Sequence, residues 1–239
     1  MGKAEALLAR AGEPAPSARK DFVVQSKPDD GQAVKNVRRS FLIEVKNQSA
    51  FPTRSRESVI SGVGYNLKVE ISRLAERFRQ LGHERVAVPL DLVGRHMENT
   101  VRDALAEGLG VRPGLPLLRD LCPVFPERVP AAWQQYWKKL FLTVRPAALI
   151  LTNDFHVQSL YGYCFQNGLS IPRDVSVVCL ENTEHLEWSQ PVPSRMSFPI
   201  HAATAYFKKW IRGGCRPMGM KFLPLDCIEA ATIAHPPVR

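Results

Sequence analysis

Asn153 and Glu181 each close an apolar run, and their side chains offer the hydrogen bonds that a hydroxyl-rich small molecule needs. Asn153 follows Ala147 to Leu151, inside Thr152-Asn153-Asp154. Its amide both donates and accepts, which suits a sugar hydroxyl. The competing use of Asn153 or Asp154 is to cap the helix that comes next. Glu181 and Asn182 follow Val175 to Leu180. A carboxylate accepts two hydroxyl protons in one charge-assisted arrangement; the plainer alternative is a solvated acid at a strand end. Phe125 offers an aromatic face for a sugar ring, or else a ring for the core. Trp188 comes soon after Glu181 and either lines the same cleft or covers the chain beyond it.

The elements that must position these residues read as one strand–helix–strand unit. Ala147 to Leu151 is the first strand, and Phe155 to Asn167 is helical up to the stop at Asn167-Gly168. Ile171-Pro172-Arg173-Asp174 then turns the chain into the second strand, Val175 to Leu180. Such crossovers are right-handed almost without exception, so the two strands run parallel. Their carboxyl ends carry Asn153 and Glu181, and that is the edge where open α/β sheets bind small ligands. Upstream, Leu67, Ile71, Leu74, Phe78 and Leu81 recur at helical spacing and predict an amphipathic helix that Gly82 stops. Val86-Ala87-Val88 predicts a buried strand. Further helices are expected over His96 to Gly108, Pro130 to Leu142 and His201 to Arg212, with a Pro- and Leu-rich loop after the first of these. A last strand is expected over Leu223 to Ile228. Ser40 to Val45 is a candidate strand and Ala4 to Ala11 a candidate short helix.

Several segments, in order, resemble the effector-binding domain of LacI/GalR-type transcription regulators, which share the fold of periplasmic sugar-binding proteins. They are Leu81-Gly82-His83-Glu84-Arg85-Val86-Ala87, Arg145-Pro146-Ala147, Thr152-Asn153-Asp154, Gly168-Leu169 with Ile171-Pro172, and Asp174-Val175-Ser176-Val177-Val178. Pro191-Val192-Pro193-Ser194-Arg195-Met196 with Pro199 resembles the family's crossing segment, and Leu223-Pro224-Leu225-Asp226 with Pro236-Pro237 its closing strand. The resemblance runs from about Ser58 to Pro237. Trp188 and the Arg195-Met196 pair are most similar to xylose-regulator-like members.

The resemblance implies an α/β, periplasmic-binding-protein-like (type I) fold: a parallel sheet flanked by helices, with one complete lobe and a truncated second lobe. It divides the chain into an N-terminal remnant (1–57), a carboxyl-terminal effector-binding lobe (58–192), and a crossover helix with a closing strand (193–239). The family encloses its ligand between two lobes and crosses between them three times. Only 57 residues precede Ser58, fewer than the family spends on its first lobe, so an N-terminal shortening is expected. Glu181 stands where the family has an aspartate that grips sugar hydroxyls, and Asn182 replaces a second aspartate. A family arginine ahead of the second helix is replaced by Met97, with Arg95 or His96 as substitutes. The helix from Phe155 carries a second apolar side, Val157, Leu160, Tyr161, Cys164 and Phe165. The resemblance gives that side to a two-fold homodimer; a wholly buried helix would explain it as well. The implied effector is a sugar or sugar derivative. No cofactor or metal is implied, and operator DNA is reached only through a domain not seen in this chain.

Composition narrows the alternatives. The net charge is +9, but it is spread: residues 1–60 hold 11 Lys and Arg against 7 Asp and Glu, and the remainder 21 against 16. Diffuse charge supports only non-specific nucleic-acid contact, and no helix-turn-helix pattern is present. No run approaches the ~20 apolar residues of a membrane span. The first twenty residues lack an apolar signal core, which points to the cytoplasm and away from an extracytoplasmic transport receptor. The 5 cysteines are odd in number and lack metal-ligand spacing, as expected of reduced thiols. His83, Glu84, Asp154 and His156 have no ligand spacing either. There is no Gly-x-Ser-x-Gly, Walker or Gly-x-Gly-x-x-Gly motif, so neither enzyme chemistry nor a catalytic residue is expected. A stand-alone sugar sensor, a transport receptor and a sugar-modifying enzyme are the rival readings.

Overall fold

Asn66 shows how local sequence sets the architecture. Its side-chain oxygen accepts from the backbone N–H groups of Lys68 and Val69, at 3.1 and 3.4 Å, and so caps α1 (Leu67–Gln80). The helix buries Leu67, Ile71, Leu74, Ala75 and Phe78, the face expected from their spacing. It ends where Gly82 adopts φ +93°. There the Gly82 N–H bonds to Arg79 O and the His83 N–H to Phe78 O, both at 2.9 Å, closing a Schellman turn.

The computed structural model describes residues 21–24, 39–45, 61–90, 95–125 and 129–236. The expectation for Ala4 to Ala11 lies outside them, as do Pro126 and Pro237. A smaller sheet is built in the order β1 (Asp21–Val24), β2 (Arg39–Val45), β3 (Ser61–Gly64) and β8 (Met220–Phe222). A larger one follows the order β4 (Val86–Ala87), β5 (Ala148–Leu151), β6 (Ser176–Cys179), β7 (Ser194–Ser197) and β9 (Asp226–Ile228). Strands β4 to β7 are parallel, and β9 pairs antiparallel to β7. Every residue of β4, β5 and β6 is buried, the pattern of strands covered on both faces.

The helices between these strands are α2 (Arg95–Leu109), α3 (Pro116–Leu121), α4 (Pro130–Thr143) and α5 (Asp154–Gln166). They enclose the main core with α1 around the larger sheet. Helices α1 and α2 approach so closely at Gly108 that a Cβ there would lie 2.3 Å from Ser72 O and 2.6 Å from Ala75 Cβ. A second, smaller core forms where α6 (Ile200–Arg212) lies on the smaller sheet. Phe41 sits among Tyr206, Phe207 and Trp210, with ring centroids 6.0, 5.0 and 5.2 Å away. Among the described residues the chain passes between the sheets at Tyr65–Asn66, at Phe198–Pro199 and at Leu223–Leu225.

Three differences from expectation have local causes. Of the strand expected over Leu223 to Ile228 only Asp226–Ile228 forms, as β9, because Leu223 to Leu225 carry the chain out of the smaller sheet, which it leaves at β8, into the larger one. The Pro- and Leu-rich loop contains α3, which Pro116 starts at its first position, where the missing N–H costs nothing. β3, inside the span expected for the effector-binding lobe, pairs in the smaller sheet.

Candidate functional site

The carboxyl ends of β5 and β6 lie side by side, with Leu151 paired to Cys179. The chain leaves them through Thr152 to Asp154 and Glu181 to Thr183. Thr183 Oγ1 donates to Asp154 Oδ2 at 2.9 Å, which ties the two exits together. Asp154 is buried and opens α5, where a negative charge suits the helix dipole. Asn153 caps the same helix: its Oδ1 accepts from the His156 N–H at 2.9 Å.

Beside Glu181 opens a cavity of about 250 Å³. The ends of β6 and β7 supply Glu181, Asn182 and Ser197, and the three crossing segments supply Phe198, Tyr65 and Leu225. The Tyr65 and Phe198 rings stand 6.4 Å apart, tilted by 52°. A carboxylate, an amide and a hydroxyl set among apolar and aromatic walls can orient a small polyhydroxylated molecule. Behind this wall Arg195, only 6% exposed, is held on three sides. Its Nε donates to Asn182 Oδ1 at 2.7 Å and its Nη1 to Pro193 O at 3.5 Å. Its Nη2 pairs with Glu187, on the 3₁₀ turn Glu184–Trp188.

A larger cavity, about 370 Å³, lies at the other edge of the sheet. Leu109, Val111, Leu115, Leu117, Leu118 and Leu121 form most of its wall, and Arg79, Gly82, His83 and Glu84 border it. His83 is buried, with Nε2 2.8 Å from Ala234 O, and burial holds its imidazole below the ordinary value of 6.5. A hydroxyl-rich ligand finds few partners on leucine walls. The smaller cavity at the strand carboxyl ends is therefore the candidate site.

The sequence-derived site residues divide accordingly. Glu181 and Asn182 line the cavity together. Asn153 stands at the neighbouring strand end as a cap and is not part of the cavity wall. Phe125 is a correction: it is 1% exposed, with Tyr136, His156, Trp133 and Trp137 centred 4.0, 4.9, 5.0 and 5.1 Å from its ring. Of the two uses read from the sequence, the core has taken it. Trp188 is a second correction, since it is 86% exposed and outside the cavity wall. Arg95 opens α2, but its side chain, like that of His96, lies outside the described residues.

Four residues of the expected dimer side of α5 are a third correction. Val157, Leu160 and Cys164 are buried in this chain's own core, and Tyr161 packs against it and donates its hydroxyl to Pro191 O at 2.9 Å. The apolar groups that α5 leaves exposed are Phe155 and Phe165. Sequence reasoning missed Tyr65, Ser197, Phe198 and Arg195 as site residues. The Pro191 to Pro199 segment was recognisable, but which of its side chains face the cavity depends on how β7 pairs. Among the described residues no cluster of three or more His, Cys, Asp or Glu could hold a metal ion.

Residues 75–209, more than half of the chain, match the periplasmic binding protein-like domain family. No curated protein matches the chain. Among solved structures, it is similar to a sugar-binding LacI-family transcriptional regulator from Escherichia coli complexed with phosphate. That match has a TM-score of 0.59 at 16% identity, over 81% of this chain and 68% of that one. A LacI-family regulator from Enterococcus faecium with bound ribose matches with a TM-score of 0.57 at 18% identity, over 76% and 68%. Another, from Weissella paramesenteroides with bound sucrose, matches with a TM-score of 0.59 at 14% identity, over 77% and 68%. With the family match spanning β4 to β7 and the strand ends that carry Glu181 and Asn182, the chain belongs to the periplasmic binding protein-like domain family and has the fold found in LacI-family regulators.

Proposed function

We propose that this chain is the effector-binding part of a sugar-responsive, LacI-type transcription regulator. The observation that carries the reading is the cavity itself: Glu181, Asn182 and Ser197 converge on the point where all three crossing segments meet. A sugar seated there contacts the strand ends of the larger lobe and the segments that lead to the smaller one. Binding then favours whichever lobe arrangement completes those contacts, as a shift of a pre-existing equilibrium. The bound ribose and sucrose in two structures of similar fold support a sugar as the effector class.

The rest of the reading follows from this mechanism. The chain contacts DNA through a separate head, and the lobes set how two such heads are held in a homodimer. Phe155 and Phe165, both exposed and near the two ends of α5, supply the apolar surface for the second copy. A regulator of this kind works in the cytoplasm, which the free thiols of all five cysteines suit. The chain is a binding protein rather than an enzyme.

Thermal unfolding with D-ribose, D-xylose, D-glucose, sucrose and sugar phosphates tests the reading. A sugar at about 100 times its dissociation constant raises stability by about 2.7 kcal/mol. The expected result is a raised midpoint with a neutral sugar and none in Glu181→Ala. A folded chain that responds to no sugar would sink the proposal.

A further inference from the structure

Among the described residues Arg195 is the one buried arginine that touches a cavity-lining side chain, and its chemistry fixes what that side chain can do. A guanidinium has donors only. The Asn182 atom 2.7 Å from Arg195 Nε must therefore be the amide oxygen, and the nitrogen must face the other way. That nitrogen lies 3.3 Å from Ser197 Oγ, on the cavity wall that both residues share. The amide cannot turn over without setting its N–H₂ against the guanidinium. Arg195 is itself kept from turning by Glu187 and by the Pro193 carbonyl.

We propose that Arg195 is a positioning residue that locks Asn182 as a hydrogen-bond donor, so that the site reads two neighbouring ligand oxygens in opposite senses. Glu181 accepts a proton from one hydroxyl, and Asn182 donates to the oxygen beside it. The ligand class is a neutral sugar presenting a vicinal diol. This inference rests on the sugar-binding reading of the same cavity.

Asn182→Asp is the decisive variant. It keeps the shape and the contact with Arg195, now as an ion pair, and puts an acceptor and a negative charge where the donor was. Arg195→Met removes the lock. Calorimetric titration of the full chain with D-ribose, D-xylose, D-glucose and sucrose gives the affinity, and thermal unfolding reports the fold. In Asn182→Asp the unfolding midpoint is expected to hold while sugar affinity falls about tenfold, the weight of one hydrogen bond. Arg195→Met is expected to lose a similar factor, and the double variant no more than either single one. Wild-type affinity in Asn182→Asp would overturn the inference alone, as would losses that multiply in the double variant. A wild-type chain that binds none of the four sugars would overturn the sugar-binding reading, and this inference with it.

Discussion

At the scale of single residues, buried and paired titratable groups set how the chain responds to acid. Burial keeps His83 neutral in the folded state at pH values where an unfolded histidine, near 6.5, takes up a proton. The unfolded state then binds more protons, so stability is present above 6.5 and is lost as the pH falls below it. Two carboxylates add to the same trend at lower pH. The Ser170 backbone N–H at 2.7 Å holds Asp174 below its ordinary 3.8, and the bidentate pair with Arg77 holds Glu229 below 4.5. Their stabilisation is present above those values and lost beneath them. Denaturant unfolding between pH 7 and 5 should show stability falling in the wild type and a flatter profile in His83→Gln. An equal slope in both would show that His83 is not the group responsible. The thiols contribute nothing to this range, because burial pushes Cys122 and Cys164 up to about 12.

At the scale of elements, the contact between α1 and α2 is the tightest test of packing. Gly108→Ala puts a methyl group against the Ser72 carbonyl and Ala75. Ala is ordinarily the better helix former, by up to about 1 kcal/mol. The clash is with backbone, however, so a net loss of about 1–3 kcal/mol is expected, read as a lower urea midpoint. A gain would mean that the helices separate without cost. These helices were legible in the sequence because their signals are local. Asn153 caps, Gly82 and Gly168 stop, and the apolar spacing names the buried face. β5 and β6 were legible as apolar runs between such signals. β7 and the split between β8 and β9 were not, because they exist through pairing with distant strands. The site divides the same way: Glu181 and Asn182 were readable as strand ends, while Tyr65 and Phe198 reach the cavity only through the crossings. On α5, periodicity showed two apolar sides but not which one the sheet would take. The sheet took Val157, Leu160 and Cys164, and Phe165 of that same side was left outside together with Phe155.

At the scale of the whole molecule, two sheets joined by three crossings place one polar cavity where relative movement of the lobes would be felt. In the proposed homodimer, the exposed side of α5 would give a route for that movement to reach the second copy. Phe165 is 89% exposed, and Phe165→Lys should leave the fold and sugar response of one chain intact while sedimentation shows a monomer in place of a dimer. A dimer that persists in Phe165→Lys would move the interface elsewhere. The central claim is that the sugar sits at the strand carboxyl ends and not in the larger leucine-walled cavity. Calorimetric titration tests it most directly, using the sugar that most stabilises the wild type against Glu181→Ala and Leu117→Asp. Binding heat should vanish in Glu181→Ala and survive in Leu117→Asp; heat that survives in Glu181→Ala and vanishes in Leu117→Asp would contradict the account.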